Sequence, residues 1–332
     1  MNEIDAFQYA LIVRGPLHNQ RKLCMFDKTY SAYAELGPEV KTTETYLSPF
    51  TYDEAMVTHI ESTGATAGFD GPVAFPYVHF DFDAEDLNAA LRDATGLITL
   101  LVDRYEIKEQ VIQVWFSGRR GVHVLLPATG LPVNPGPIAH QMLKELALRL
   151  ADEAGVAPDP TVYNKTRLFR APNTQHPESG LYKVHFRVDE LLGGLQAKQV
   201  LEKAREPYPA DILTLEEVET YACGSLAPLA QKCVDSTRQR HEMQAMQYQS
   251  GGSWPTGRKL SKATLDYIRF GHQWNDGRKM GLFKAAANLA ECGCPENVIR
   301  MLLEPSGRDS GLAPGVVKKQ IDDGTKKGKM NE

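Results

Sequence analysis

The chain has 332 residues, 42% of them hydrophobic and 24% charged, which excludes a disordered protein and allows one large domain with a smaller companion. No apolar run reaches the roughly 20 residues that a membrane span requires, and the segment MNEIDAFQYA lacks the features of a signal peptide, so we expect a cytoplasmic protein without membrane contact. The formal net charge of −5 is unevenly spread, since residues 231–332 carry 17 Lys and Arg against 11 Asp and Glu. Phosphate contact is therefore expected at this basic tail and at a local basic loop.

The five cysteines are Cys24, Cys223, Cys233, Cys292 and Cys294. Their number is odd and their spacing contains no CxxC pair, so we expect reduced thiols and no disulfide framework. The spacing also gives no indication of a structural zinc site. Cys292 and Cys294 are interpreted as packing residues at a helix end.

Residues 1–210 combine predicted strands and helices in an irregular order. Apolar patterns and flanking turn residues predict strands at 7–13, 23–26, 75–83, 111–116, 122–127, 168–170 and 181–186. Helical spacing of apolar residues predicts helices at 52–63, 84–105 and 137–154, the last ending near Gly155. A mixture without a regular βαβ repeat indicates an α+β domain.

The remainder of the chain is predicted to be helical. Residues 211–259 are interpreted as a helical connector with a polar segment, 235–257, whose QYQSGGSWPTG portion is typical of a flexible linker. Residues 260–332 predict a small all-α bundle, with helices beginning near Ser261, Gly277, Pro295 and Pro314.

The predicted strand at 75–83 contains the pattern YVHFDFD. Residues i and i+2 of a strand project to the same side, so His79, Asp81 and Asp83 are expected on one face and the apolar residues between them on the other. Two neighbouring carboxylates favour a hard cation such as Mg²⁺ or Mn²⁺. A lone DxD pattern is also typical of an exposed strand with solvated charges, and both interpretations stay open at this point.

The segment SGRRGVH, residues 117–123, lies between two predicted strands. Its glycines allow a tight turn with exposed N–H groups, Arg119 and Arg120 add positive charge, and Ser117 and His123 add hydrogen-bonding groups. Such a loop suits a triphosphate. A hairpin turn with solvated arginines is the alternative.

A third segment centres on Asp159, which lies between two prolines and is followed by Arg167, Arg170 and a turn that ends at His176. The prolines hold the aspartate in a rigid extended segment, where it could complete a metal-binding pair. Alone, an aspartate between prolines is typical of an ordinary turn.

Together the three segments resemble the ordered motifs of the archaeo-eukaryotic primase superfamily. YVHFDFD is similar to its hydrophobic-DxD motif, SGRRGVH matches the SGxxGxH form of its second motif, and DPTVYNKTRLFRAPNTQHPESGLYKV resembles its third. The adjacent arginines and the RLxRxPxxxH run are similar to those of the catalytic small subunits of archaeal and eukaryotic replicative primases. The resemblance covers about residues 73–186.

The resemblance implies a fold and a branch of the superfamily. A primase-polymerase domain with an RRM-like fold is expected at 1–210, and GRKMGLFKAAANLAECGCPENVIRMLL is similar to the PriCT-like helical domain that follows it in many phage and plasmid primases. Cellular small subunits often carry a zinc-binding insertion between the second and third motifs, but no cysteine occurs between His123 and Asp159. The chain therefore looks like the compact phage or plasmid branch, which acts in a bacterial or archaeal cell.

The resemblance also implies site residues. Asp81, Asp83 and Asp159 would hold two catalytic Mg²⁺ or Mn²⁺ ions. Arg167 would have a supporting role. The residues expected to bind the incoming nucleotide are Ser117, Arg119, Arg120, His123, Arg170 and His176.

The implied activity is template-dependent nucleotidyl transfer: a DNA primase or primase-polymerase that makes or extends primers on single-stranded DNA from NTPs or dNTPs. The chain has no P-loop GxxxxGK[ST], so a partner replicative helicase would be a separate protein. Three alternatives stay open: an end-joining repair polymerase of the same superfamily, a non-catalytic module that binds an origin or single-stranded DNA, and a two-metal nuclease.

Overall fold

The computed structural model describes residues 6–17, 19–25, 42–207, 223–249, 259–271, 277–310 and 312–330. Contacts divide the chain into two compact units, Met1–Thr237 and Arg238–Glu332. Within the described ranges, no helix is both long enough and apolar enough to cross a bilayer.

The described residues between 6 and 249 form a mixture of strands and helices. In chain order the elements are β1 (Tyr9–Arg14), β2 (Lys22–Met25), β3 (Thr45–Leu47), β4 (Thr51–Tyr52), α1 (Glu54–Thr63), β5 (Val73–Ala74), β6 (Tyr77–Asp83), α2 (Leu87–Asp103), β7 (Gln113–Phe116), β8 (Gly121–Pro127), α3 (Ala139–Ala154), β9 (Phe169–Arg170), β10 (Val184–Phe186), α4 (Val188–Leu192), α5 (Ala197–Lys203) and α6 (Ala227–Gln249).

The strands form two antiparallel sheets. The first has the order β5-β4-β1-β3-β9, with β2 also paired to β1, and the second has the order β10-β7-β8-β6. The second sheet is built by the sequence strand, helix, strand, strand, helix, strand: β6, α2, β7, β8, α3 and β10. This mixture of helix and antiparallel sheet confirms the α+β prediction. The RRM-like description stays a prediction.

One face of β6 forms part of the main core. Val78, Phe80 and Phe82 are buried in one apolar cluster with the inner stripe of α2, to which Leu97 and Ile98 belong. Each such side chain contributes about 2 kcal/mol by leaving water. The opposite face of β6, which carries the predicted carboxylates, is directed away from this helix layer.

Local signals account for the helix ends in this unit. The Asp53 and Asp86 carboxylates cap α1 and α2 by accepting from the N–H groups of Ala55 and Asn88. Gly155 ends α3 with a φ of 70°, a left-handed conformation that glycine adopts without strain. The predicted helix ends at Thr63 and Ala154 are therefore confirmed.

The second unit is a bundle made of α7 (Lys262–Phe270), α8 (Arg278–Glu291), α9 (Glu296–Asp309) and α10 (Pro314–Lys329). The Ser261 hydroxyl caps α7, Pro295 precedes α9, and Pro314 occupies the first turn of α10. All four predicted helices are thus present in the described residues. Their buried apolar residues form a separate core.

The structure corrects several expectations about element boundaries. The helix predicted at 84–105 spans only Leu87–Asp103, and the strand predicted from residue 111 begins at Gln113. Helix α6 continues to Gln249, so the polar segment from residue 235 is helical at its start, and the remaining predicted linker residues, 250–257, lie outside the described ranges. Tyr52 belongs to β4 rather than to the first helix, and the strand predicted from Leu181 begins only at Val184. For Tyr52 and Val184, strand pairing with residues distant in sequence determines the boundary.

Cysteine chemistry agrees with the sequence. None of the five cysteines is in a disulfide, and all except Cys24 are buried. Burial raises the pKa of Cys223, Cys233 and Cys294 to about 11. Such thiols behave as apolar packing groups.

Candidate active site

The register between β6 and β8 places two predicted site residues opposite each other. Asp81 pairs with His123 across the ladder, and His123 lies opposite Trp115 of β7. The Nε2 atom of His123 is 3.5 Å from Oδ1 of Asp81. Because directly paired residues project to the same face of a sheet, these side chains form a row across it.

The three predicted metal-binding carboxylates come from two segments that a backbone hydrogen bond joins. Asp81 and Asp83 share one face of β6, and the N–H of Asp159 donates to the Asp81 carbonyl oxygen over 2.7 Å. The Asp159 carboxylate accepts from the N–H and hydroxyl of Thr161 over 2.9 and 2.7 Å. It thereby caps the short 3-10 turn Pro160–Tyr163. The Arg167 guanidinium lies 3.7 Å from the same carboxylate.

Charge and burial act together on Asp81. Burial raises its pKa to about 7, and the negative charges of Asp159 and Asp83 act in the same direction, whereas Arg167 and Lys183 oppose them. The ionised form of Asp81 is therefore unfavourable in the protein alone. A cation among these carboxylates would relieve the repulsion.

The donor chemistry of the three aspartates fits Mg²⁺ or Mn²⁺, which prefer oxygen ligands. Within the described part of the chain, no three His, Cys, Asp or Glu side chains are already clustered as a metal site. Instead, Arg120 Nε donates to Asp83 over 2.9 Å, and Thr161 holds Asp159. Metal binding would require the carboxylates to exchange these partners for the cation.

The loop between β7 and β8 is shaped by its serine and glycines. The Ser117 hydroxyl accepts from the Gly121 N–H over 3.0 Å, and the Ser117 N–H donates to the Gly121 carbonyl. Gly118 has a φ of 99°, and a Cβ there would come within 3.1 Å of the His176 Cβ. The loop therefore lies directly against the turn of the third motif, and glycine is required for that approach.

Both arginines of this loop are engaged by carboxylates. Arg119 pairs with Glu178 over 2.7 Å and Arg120 pairs with Asp83. All four side chains are at least 45% exposed, so each pair contributes at most about 1 kcal/mol. A triphosphate, with several negative oxygens, could replace these carboxylates at low cost.

Arg170 is fixed by the first sheet. Its two Nη atoms donate to the Gln175 carbonyl and to the Tyr46 hydroxyl, over 3.1 and 3.0 Å, and its guanidinium lies 4.9 Å from the centre of the Tyr46 ring. Burial, followed by the charge of Arg170, lowers the pKa of His176. At neutral pH His176 is therefore an uncharged hydrogen-bonding group.

Most of the predicted site residues line one cleft of about 340 Å³, a volume in the range of small-ligand sites. Asp159 does not line it, although Arg167, which lies 3.7 Å from the Asp159 carboxylate, does. The sequence-predicted residues on its surface are Asp81, Asp83, Ser117, Arg119, Arg120, His123, Arg170 and His176, and Arg167 joins them.

Sequence reasoning missed several residues at this site. Phe169 packs edge-on against His123 with the ring centroids 4.9 Å apart, and Leu17 lines the cleft from the β1–β2 turn. Lys183 is buried beside His123, and burial lowers its pKa to about 7. Lys183 lies in the third segment, in LYKV, where a lysine among apolar residues was the available signal.

Comparison with known proteins adds little to these observations. No family model and no curated protein sequence matches the chain. A structure titled "Crystal structure of primase RepB'" matches over 97% of this chain and 91% of its own, with a TM-score of 0.36 and 10% sequence identity. A likeness of that size carries no argument about function.

Proposed function

We propose that this protein is a nucleotidyltransferase of the primase-polymerase type, which makes or extends primers on single-stranded DNA. The observation that carries the proposal is the convergence of two opposed charge sets in one cleft. Asp81 and Asp83 form an acidic wall, and four arginines face the same space: Arg119, Arg120, Arg167 and Arg170.

These residues suit attack of a primer 3′-hydroxyl on the α-phosphate of an incoming nucleotide, with release of pyrophosphate. Arg119 and Arg120 would bind and orient the triphosphate, and their charge would stabilise the negative charge that develops on the leaving group. Arg170, braced by Tyr46, would hold a further phosphate oxygen. When bound at Asp81, Asp83 and Asp159, divalent ions would activate the hydroxyl and neutralise phosphate charge.

The direct test is incubation with unprimed and primed single-stranded DNA, Mg²⁺ or Mn²⁺, and labelled NTPs or dNTPs supplied separately. We expect template-directed incorporation with one pyrophosphate released for each nucleotide added. Cleavage of DNA without incorporation would identify a nuclease. DNA binding with neither reaction would identify a non-catalytic module and contradict the proposal.

The arginines and histidine of the cleft give a sharper prediction. Arg120→Ala and His123→Ala should each raise the KM for nucleotide by roughly tenfold, because each removes one hydrogen bond or charge from the triphosphate. Template affinity should be unchanged. Steady-state kinetics and single-stranded DNA binding measure the two effects.

Arg149→Ala is the matched control for this prediction. Arg149 is nearly as exposed as Arg120, 40% against 45%, and is likewise ion-paired, with Glu145 on α3, but it does not line the cleft. Its nucleotide KM should equal that of the unaltered protein. If Arg120→Ala instead lost DNA binding and kept a normal nucleotide KM, the loop would be identified as a template contact.

The basic C-terminal unit is proposed to hold template or the 5′ end of the primer. Starting a strand requires two nucleotides and a template to be held together, whereas extension offers a ready duplex. A chain ending at Gln249 should therefore extend a supplied primer but lose most primer synthesis on unprimed template.

A charge variant separates the effect of phosphate contact from the effect of deleting the unit. Lys326 and Lys327 are exposed in the last turns of α10. Changing both to glutamine should weaken initiation and lower its salt dependence, because each phosphate contact releases counterions. Equal initiation by the shortened and full chains across a salt series would show that the unit serves another purpose.

A further inference from the structure

Lys183 is a buried lysine that the proposed chemistry does not use. It is only 4% exposed and lies just before β10, below the row of side chains that contains His123. Burying an ammonium group is costly unless it is hydrogen-bonded or paired. The Lys183 ammonium therefore requires partners inside the protein.

Two polar atoms lie within hydrogen-bonding distance of the Lys183 Nζ. One is the Arg170 carbonyl oxygen at 2.8 Å, and the other is Nδ1 of His123 at 3.1 Å. The rings of Trp115 and Phe169 enclose the ammonium, with centroids 5.6 and 6.0 Å away. Lys183 thus bridges the backbone of one predicted nucleotide-binding residue and the side chain of another.

The chemistry of these partners determines where the protons lie. Burial lowers the pKa of Lys183 to about 7, so the group is an ammonium in slightly acidic solution. An ammonium has three donors and no acceptor, and Nδ1 of His123 then accepts. An imidazole that accepts at Nδ1 is neutral and carries its hydrogen on Nε2. That Nε2 atom is 3.5 Å from Oδ1 of Asp81, and His123 lines the cleft. The N–H is therefore available on the cleft side of the ring.

We propose that Lys183 is a positioning residue that holds His123 in its Nε2–H form and so presents a hydrogen-bond donor to an anionic group in the cleft. The identification of that group as a nucleotide phosphate rests on the proposed function. The tautomer itself is a property of the protein alone. In the other tautomer a lone pair on Nε2 would face the phosphate oxygens, and that contact would be repulsive.

Nitrogen NMR of the full-length protein labelled with ¹⁵N-histidine tests the tautomer directly. The His123 signals are assigned by their disappearance in His123→Gln. Below pH 7, where Lys183 is charged, we expect Nδ1 to be unprotonated and Nε2 to carry the hydrogen. In Lys183→Met, which keeps the side-chain length but removes the donors, the Nδ1–H form should appear.

Lys165→Met is the matched control. Lys165 is also buried, but its Nζ donates to the carbonyl oxygens of Asp70 and Gly71 and not to a histidine. Its replacement removes a buried ammonium of the same kind. The His123 spectrum should not change.

Kinetics supplies the second readout. Lys183→Met should raise the nucleotide KM by roughly tenfold, like His123→Ala, and the double variant should be no worse than either single variant, because both act on one hydrogen bond. Fully additive effects would show that Lys183 acts independently of His123 and would overturn the proposal.

The outcomes separate this inference from the proposed function. A wild-type spectrum with hydrogen on Nδ1 would overturn the inference even if the protein incorporates nucleotides. Because this spectrum needs no variant, it tests the inference even if Lys183→Met fails to fold. Absence of incorporation by the unaltered protein would contradict the proposed function and leave the tautomer assignment to the spectrum.

Discussion

Asp81→Asn should abolish nucleotide incorporation and at the same time make the metal-free protein more stable. The loss of activity, by roughly 10³-fold or more, is expected because the three carboxylates would act as a unit. Asp83→Ala and Asp159→Ala should have losses of the same order. Primer extension with labelled nucleotide measures the effect, and full activity in an Asp81→Asn, Asp83→Asn double variant would contradict the site assignment.

The gain in stability follows from the raised pKa of Asp81, about 7 against an ordinary 3.8. Below pH 4 the Asp81 carboxyl is protonated in both the folded and the unfolded chain, so its ionisation does not lower the stability of the folded state. As pH rises from about 4 to 7 the unfolded chain ionises first, and the folded state becomes relatively less stable. The difference in Tm between Asp81→Asn and the unaltered protein in EDTA should therefore be several degrees at pH 8 and vanish near pH 4.

Asp83→Asn is the control for this stability effect. The Asp83 side chain is half exposed and already paired with Arg120. Its replacement should cost activity without raising Tm. An equal rise in Tm for Asp83→Asn would show that the total acidic charge, rather than the buried position of Asp81, lowers the stability of the metal-free protein. Adding Mg²⁺ or Mn²⁺ should raise the Tm of the unaltered protein but not of Asp81→Asn.

Gly328→Ala should unfold or strongly destabilise the C-terminal bundle. A Cβ at residue 328 would overlap the Ala287 carbonyl oxygen and lie 2.6 Å from the Ala290 Cβ, both on α8. Backbone atoms of two packed helices cannot shift to relieve this overlap without losing other contacts between the helices. We expect a loss of roughly 3 kcal/mol or more, which exceeds the gain of about 1 kcal/mol that alanine brings to a helix.

Gly315→Ala is the matched control, because it makes the same change in the same helix where no atom lies within 4 Å of the new Cβ. It should be neutral or slightly stabilising. Denaturant unfolding followed by circular dichroism, with limited proteolysis of the bundle, measures both variants. Gly324→Ala should resemble Gly328→Ala, since its Cβ would lie 2.8 Å from the Ala286 Cβ and overlap the Phe283 carbonyl oxygen. A stable Gly328→Ala bundle would contradict the close packing of α8 and α10.

Local chemistry was sufficient to predict much of this protein. The alternation in YVHFDFD determines that Asp81 and Asp83 share a face, because successive side chains of a strand point to opposite sides. Ser261, Pro295 and Pro314 predicted helix starts because their capping or backbone geometry depends only on neighbouring residues.

Only the tertiary structure decided how these local features meet. The sheet register places His123 opposite Asp81, and one backbone hydrogen bond joins Asp159 to Asp81. Neither follows from spacing along the chain, because register depends on the packing of whole strands. For the same reason the sequence did not predict that Lys183 is buried against His123 or that Gly328 contacts α8. By itself the sequence determined which chemical groups could form a site, and the long-range packing decided their distances, partners and protonation.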